Sequence, residues 1–453
     1  MPKFCRLILW MILGAPLLIW TEESPRLPVL ELHQAVSAAL KDNFAVKAAA
    51  ADQQSARYDV SASYSAFLPH VSIQSVGSRT ESKRFEESFF TAGLAGDSYY
   101  NRIQMSQRIL DFSELRNISI AKFREQAAQW KTKDEQQTTT AGVISSYMEA
   151  LRGRELMKVQ DQRLDFTKKQ FAVAQAQHQA GYRTKSDVLQ AQLAQTQARQ
   201  DLELARLVMN RAQSQLNRLL GRPASRRYRL TSGYVSDFDL ALVLPEMTTQ
   251  EEKLLELARA SHPSVRVAQL MVEESKEALK QARDRFSPTL SLSGYWGYYD
   301  TGYPDFATED WQVQMMLQVP VFEGGGRIAR VRALQSRLVA DEMRLGDVIA
   351  EIQNRVDLGI LTFQEEYHRH QTALEAEIVA QENYALVMNR YESGVADSLE
   401  LTQALTGLVS SRQEIVMTRY NSLVVFTDLL RSLGTIPIDE SRYQNHHWLM
   451  RIE

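Results

Sequence analysis

Metal ligation and acid–base catalysis need histidine, cysteine or paired carboxylates at set spacings, and this chain offers few places to look. EEYHRH (Glu365–His370) holds His368 and His370 two residues apart, a spacing that turns them to different faces of a helix. NHHW (Asn445–Trp448) sets two histidines side by side in what reads as a surface tail. FEGGGR (Phe322–Arg327) puts a glycine run between a strand pattern and a helix pattern. It lacks the Lys-Ser/Thr of a phosphate loop, and its strand is amphipathic rather than buried, so it reads as a corner where strand becomes helix. NIS at Asn117 has glycosylation spacing but falls inside a helical pattern. No nucleophile stands in a recognisable relation to a base and no acid pair stands out. The residues point to no enzyme, no metal and no cofactor.

Composition narrows the class further. The chain has 453 residues with 44% hydrophobic content, which excludes wholesale disorder, and a net charge of -3, which leaves no footprint for nucleic acid. Its one cysteine, Cys5, rules out an internal disulfide and a cysteine-based metal site. With only 20 glycines and 12 prolines, long unbroken elements are expected. Residues 1–22 read as a signal peptide: Lys3 and Arg6, then an apolar run from Leu7 to Trp20 that is short for a membrane span. No A-x-A triplet precedes TEESP, and an uncleaved anchor is the alternative. Cys5 precedes the apolar run, so it is not placed for lipid attachment. No later stretch reads as a transmembrane helix, so entry into a membrane would have to be by β-strands.

The chain is a duplication. ALKDNFAVKAA (Ala39–Ala49) aligns with ARASHPSVRVA (Ala258–Ala268), and the same offset lays FLPHVSI (Phe67–Ile73) on FSPTLSL (Phe286–Leu292). With a few residues of slippage, Gly181 falls on Gly394, Gln190 on Gln403, Ala191 on Ala404 and Arg199 on Arg412. LNRLLG (Leu216–Gly221) then meets LLRSLG (Leu429–Gly434). Chance can supply one such match but not four in the same order. Repeat 1 spans 23–221 as helix, strand pair, long helix and short helix, and repeat 2 spans 250–434. Residues 222–249, with Pro223 and Pro245, form a linker of mixed pattern, and 435–453 form the tail.

Helical composition runs from Leu30 to Ala66 and from about Gln250 to Arg285, each ending before a proline. The period then changes to two. In Thr289–Tyr299, Leu290, Leu292, Gly294, Trp296 and Tyr298 oppose Ser291, Ser293, Tyr295 and Gly297; Trp311–Val319 alternates likewise. His70–Arg79 and Tyr99–Gln107 are noisier counterparts. One apolar face and one face of Ser, Gln and Gly suit the wall of an outer-membrane barrel, with the loops Glu81–Asp97 and Asp300–Asp310 outside. A soluble half-buried hairpin has a similar pattern. Four strands cannot close a barrel, and open edges are not viable in lipid, so a barrel here demands several chains.

Helix without a breaker follows each hairpin, Ser113–Gln179 and Arg327–Glu392, each on the order of 100 Å long. The return helices, Lys185–Leu220 and Asp397–Leu433, are about half that, so two short helices laid end to end match one long one. Their small apolar residues suit coiled-coil seams rather than a globular core.

ALKDNFAV, ARASHPSV, VPVFEGGGR and YESGVADSLELTQAL, in this order on a duplicated plan, resemble the outer-membrane efflux protein family, the TolC-like channel-tunnels. The resemblance covers about Leu30 to Gly434. It implies a mainly α fold with a β-barrel part: a homotrimer whose 12-stranded outer-membrane β-barrel continues into a long α-helical coiled-coil barrel in the periplasm. It implies a passive export duct for small molecules or proteins, without cofactor, working with a periplasmic adaptor and an inner-membrane RND or ABC transporter. The adaptor-docking tips would be Ala180, Gly181 and Tyr182, and Ser393, Gly394 and Val395. The same glycines would be needed for a turn with no partner.

By the same resemblance Asp187 and Tyr391 form part of a clasp that closes the tips, and Glu400 and Gln403 lie where the family has acidic rings. The clasp arginine usual in the family is Ala396 here, and Gln403 replaces a second acid. Arg183 or Lys185 would have to supply the missing cation. Asp187 and Glu400 equally suit first-turn helix positions. The alternative reading of the chain is a periplasmic coiled-coil scaffold or adaptor.

Overall fold

The computed structural model describes residues 27–80, 96–232, 251–301 and 308–437. The signal region, linker residues 233–249, tail residues 438–453 with the paired histidines, and the strand connections 81–95 and 302–307 lie outside the described residues.

A two-residue strand, β1 (Val29–Leu30), leads into α1 (Leu32–Asp42) and α2 (Phe44–Tyr64). Sequence composition predicts one helix here, but Asn43 breaks it. Its backbone is extended, and its Oδ1 accepts Ala45 N–H at 2.8 Å and Val46 N–H at 3.4 Å, ending one helix and capping the next. A short 3-10 turn at Ser65–Phe67 then leads into β2 (His70–Thr80) and β3 (Gly96–Leu110). The chain returns as α3 (Phe112–Gln179), 68 residues without interruption, and α4 (Lys185–Leu219).

The start of the linker forms β4 (Arg229–Leu230), which pairs in parallel with β1. Tyr147 of α3 pins this pair, its hydroxyl lying 2.9 Å from both Leu30 O and Thr231 O. The second repeat follows as α5 (Glu251–Ser261), α6 (Pro263–Asp284), β5 (Thr289–Thr301), β6 (Glu309–Gln318), α7 (Gly326–Glu392) and α8 (Ser398–Leu433). Here too a single expected helix is divided, at His262, because the ring accepts Ser264 N–H and Pro263 favours a helical first position. The FEGGGR stretch is a strand-to-helix corner, with Gly324 and Gly325 at positive φ and Arg327 ion-paired to Glu323.

The four long strands form one antiparallel sheet in the order β2-β3-β5-β6, so the two repeats meet edge to edge at β3 and β5. Register turns the alternation into two continuous faces. Ile73, Ile103, Trp296 and Trp311 lie in one row across all four strands, and Ser72, Gln104, Tyr295 and Gln312 form the neighbouring row on the opposite face. The apolar row is exposed in the single chain, Ile73 by 80% and Trp311 by 67%. The noisier strands of repeat 1 therefore align with the clean ones of repeat 2.

The long helices pair as α3 with α4 and α7 with α8, and α2 and α6 both pack on α3. The return helices end where the short ones begin: Asn43 Nδ2 donates to Leu219 O at 2.9 Å, and Ser261 Oγ to Leu433 O at 2.9 Å. The main core sits at these junctions, around Leu32, Val36, Tyr147, Leu151, Phe363 and Phe426. Beyond it the α3–α4 seam thins to small clusters in which Ala174, Ala191 and Ala198 pack with Leu164, Val188 and Leu202. No described helix is long and apolar enough to cross a membrane.

Candidate functional site at the hairpin tips

Both long helices end in the same turn. Gly181 has φ 83° and donates to His178 O, while Tyr182 N–H reaches back to Gln177 O at 2.9 Å. Gly394 has φ 78° and donates to Tyr391 O, while Val395 N–H reaches Arg390 O at 2.8 Å. This is a Schellman turn at each tip. A Cβ added at either glycine would touch nothing, so glycine is required by the positive φ alone. Ala180, Gly181 and Tyr182 are exposed, as are Ser393, Gly394 and Val395.

The return helices are capped locally. Asp187 Oδ2 accepts Thr184 N–H at 3.1 Å and the Thr184 hydroxyl at 2.8 Å, and Thr184 Oγ1 accepts Asp187 N–H at 3.3 Å. That is a capping box. On the second tip Asp397 Oδ1 accepts Glu400 N–H at 2.7 Å, and the Glu400 carboxylate takes a 2.6 Å ion pair from Arg390. Gln403 lies one turn on and is exposed.

Tyr391 is fully buried, packed with Val387, Ala396, Leu401 and Ala404. Its hydroxyl makes no well-formed hydrogen bond. Burial raises the pKa of this phenol, opposed by the Arg183 guanidinium and the neighbouring Ser398 hydroxyl. No Asp187–Tyr391 hydrogen bond is made within the chain: the acid caps its own helix, and its charge adds to the rise of the phenol's pKa.

Arg183 is what meets Tyr391. Its Cζ lies 3.9 Å from the ring centroid, and its Nη2 donates to Tyr391 O at 3.2 Å and Ala396 O at 2.8 Å. Its Nε donates to Gln177 Oε1 at 2.5 Å, and Gln177 Nε2 donates on to Glu392 O at 3.2 Å. Of the two cations considered from sequence, Arg183 reaches the second tip, whereas Lys185 is exposed. Reasoning from sequence missed Arg390, because its partner Glu400 lies across a turn where no helical spacing rule applies. It also missed Gln170, 2% exposed, which joins the hairpins through Thr402 Oγ1 at 3.1 Å.

The histidines of α7 part as their spacing requires. His370 Nδ1 lies 3.0 Å from Thr418 Oγ1, and His368 is exposed. Among the described residues no group of three or more His, Cys, Asp or Glu side chains could hold a metal ion.

A family model described as "Outer membrane efflux protein" matches residues 35–222 and 254–435, one stretch in each repeat. The alkaline protease secretion protein AprF of Pseudomonas aeruginosa is 24% identical, over 95% of this chain and 89% of its own length. Outer membrane protein TolC of Escherichia coli is 21% identical, over 89% of this chain and 82% of its own. Among solved structures, a membrane protein from Pseudomonas aeruginosa superposes with a TM-score of 0.77 at 20% identity, covering 89% of this chain and 92% of that one. The outer membrane protein VceC of Vibrio cholerae superposes with a TM-score of 0.73 at 16% identity, covering 89% of this chain and 96% of that one.

Proposed function

We infer that this chain, which belongs to the outer membrane efflux protein family, is the outer-membrane duct of an efflux or type I secretion system. It resides in the outer membrane and extends into the periplasm. One observation carries the reading: both family-matched repeats contribute to a single sheet with an exposed apolar face, and both continue from that sheet into the long helices. A periplasmic scaffold or adaptor has no use for such a face.

Three copies close the barrel. β2 and β6 are edge strands of the four-stranded sheet, and an unpaired edge in lipid leaves backbone groups unsatisfied at a cost of several kcal/mol each. Pairing β6 of one copy with β2 of the next removes every edge, giving twelve strands. The row of Ile73, Ile103, Trp296 and Trp311 then faces lipid, and the row of Ser72, Gln104, Tyr295 and Gln312 faces a water-filled lumen.

The tips form the periplasmic entrance and the adaptor-docking surface. Tyr182 is 84% exposed and Val395 70%, so each tip offers a large apolar side chain at the same place in its turn. Such a pair suits docking onto a periplasmic adaptor that links the duct to an inner-membrane RND or ABC transporter, which supplies the energy. Tyr391 anchors the closed tips through its ring. Asp187 holds the return helix in place, and Glu400, ion-paired to Arg390, and Gln403 line the approach to the entrance.

Cell fractionation with mild gel electrophoresis tests the reading. An outer-membrane protein that runs as a heat-sensitive trimer and forms channels in planar bilayers is expected; a soluble monomer would overturn it.

A further inference from the structure

We propose that a basic groove on the outward face of α4 is the seat of α7 from a second copy of the chain, with Glu365 of that copy set between Arg211 and Arg218. The seat rests on the reading of the chain as a trimeric duct, and it specifies which residues join the copies and in what register.

The groove is short of negative charge. It has a volume of about 790 Å³ and is lined by Leu207, Arg211 and Arg218 of α4 together with Phe44, Arg222 and Arg227, and none of its lining residues is acidic. From Leu204 to Ser236 the sequence carries arginine but no Asp or Glu. Arg222 donates to the Tyr228 hydroxyl and Arg227 to Ala224 O, each at 2.9 Å, so both guanidinia meet neutral oxygens. Among the described residues the exposed side chains of Arg211 and Arg218 form no ion pair or hydrogen bond. Like charges gathered around one groove repel, and a carboxylate set between them relieves that cost and accepts their forked donors.

The long helices form an arc with two open ends. α3 packs on α4 and on α8, and α8 packs on α7, so α4 and α7 stand outermost. On α4, Leu193, Leu207, Arg211 and Arg218 form one exposed stripe on the side away from α3. On α7, Leu361, Glu365, Thr372 and Leu386 form an exposed stripe on the side away from α8. Glu365 has no cation of its own, because Arg369, one turn along, is held by Glu366 and Glu414.

Contacts across the arc fix the heights of the two stripes. Gly153 packs against Met209, Arg152 Nη1 donates to Asn421 Oδ1 at 2.7 Å, and His370 Nδ1 lies 3.0 Å from Thr418 Oγ1. Step by step these put Met209 of α4 level with residues 367–370 of α7. Rotation about the axis of a closed ring keeps heights unchanged from copy to copy. The antiparallel register then sets Leu193 against Leu386, Leu207 against Thr372 and Ser214 against Glu365. Arg211 and Arg218 lie one turn to either side of Ser214, so both reach the same carboxylate.

Disulfide trapping tests the register in the purified full chain carrying Cys5→Ser. Leu207→Cys with Thr372→Cys should give, on mild oxidation, a covalent trimer that survives heating on a denaturing gel and is lost on reduction. Leu207→Cys with Val379→Cys, two turns out of register, should not. A second measurement reads the charges: Glu365→Arg should lower the temperature at which the trimer dissociates by several degrees. Adding Arg211→Glu and Arg218→Glu to that variant should restore it. Circular dichroism checks that each variant is folded. A heat-sensitive trimer that forms no in-register disulfide would overturn the seat alone and leave the groove to another occupant, a soluble anion or an acidic segment of another protein. Disulfide formation with no effect of Glu365→Arg would overturn the ion pairing. A parent that is monomeric throughout would overturn the duct reading and the seat with it.

Discussion

Asn43 and His262 occupy the same place in the two repeats and start the same helix with different chemistry. Asn43 accepts Ala45 N–H through its amide oxygen, and His262 accepts Ser264 N–H through Nδ1. His262 is 1% exposed, with Arg431 Nη1 3.2 Å from its Nε2. Burial, and then the Arg431 charge, lower its pKa from 6.5 to about 4.

The histidine makes stability pH-dependent in one window. Between about pH 6.5 and about pH 4 the unfolded chain binds a proton at His262 that the folded chain refuses, so stability falls as pH drops through that window. The loss is on the order of 3 kcal/mol per chain at its limit. His262→Asn should keep the cap, as Asn43 does, and lose this component. Melting curves of both proteins at neutral and mildly acidic pH decide it; an identical acid response in the two would rule His262 out.

At Tyr391 the ring and the hydroxyl can be separated. The hydroxyl is buried without a well-formed hydrogen bond, so Tyr391→Phe should cost no more than about 1 kcal/mol. Tyr391→Ala removes the ring beneath Arg183 and leaves a cavity, a loss of about 3–5 kcal/mol. Denaturation midpoints check this, and a large loss in the phenylalanine variant would mean the hydroxyl carries the contact.

Asp187 is engaged in the first turn of its own helix. Asp187→Ala opens the capping box and should cost about 1 kcal/mol, localised to the start of α4. Hydrogen exchange should quicken at residues 184–188 and stay unchanged at the second tip. Faster exchange around Tyr391 instead would restore the acid to a clasp across the tips.

The two faces of β6 should respond oppositely to charge. Val313 lies on the apolar face and Gln314 on the polar one. Val313→Lys should disfavour insertion by about 2–4 kcal/mol if it sits near the midplane, whereas Gln314→Lys should insert normally. The yield of heat-sensitive oligomer in outer-membrane fractions measures the difference, and equal yields would contradict the assignment of faces.

Much of this architecture is legible in the sequence. The lengths of α3 and α7, the alternation of β5 and β6, and the glycines of both tips are statements about neighbouring residues. Helical period, strand period and turn chemistry act over a few positions, so one sequence carries them in full. The duplication added a check, because each weak signal in repeat 1 had a stronger copy in repeat 2.

The break at Asn43 was hidden in a stretch of otherwise helical composition, whereas Pro263 already marked the one at His262; at both, the caps and the ends of α4 and α8 packed against them fix the break. The tips show the same division. Sequence placed Asp187, Tyr391, Glu400 and Arg183 within their turns, but not which of them touch. That choice depends on the register of one hairpin against the other, set where α3 packs on α8, as at Val159 with Leu405 and Val409 and at Gln170 with Thr402. Thus the chain's periodicities determined the elements and their order, while tertiary packing decided that Arg183 meets Tyr391, that Arg390 meets Glu400, and that Asp187 caps its own helix.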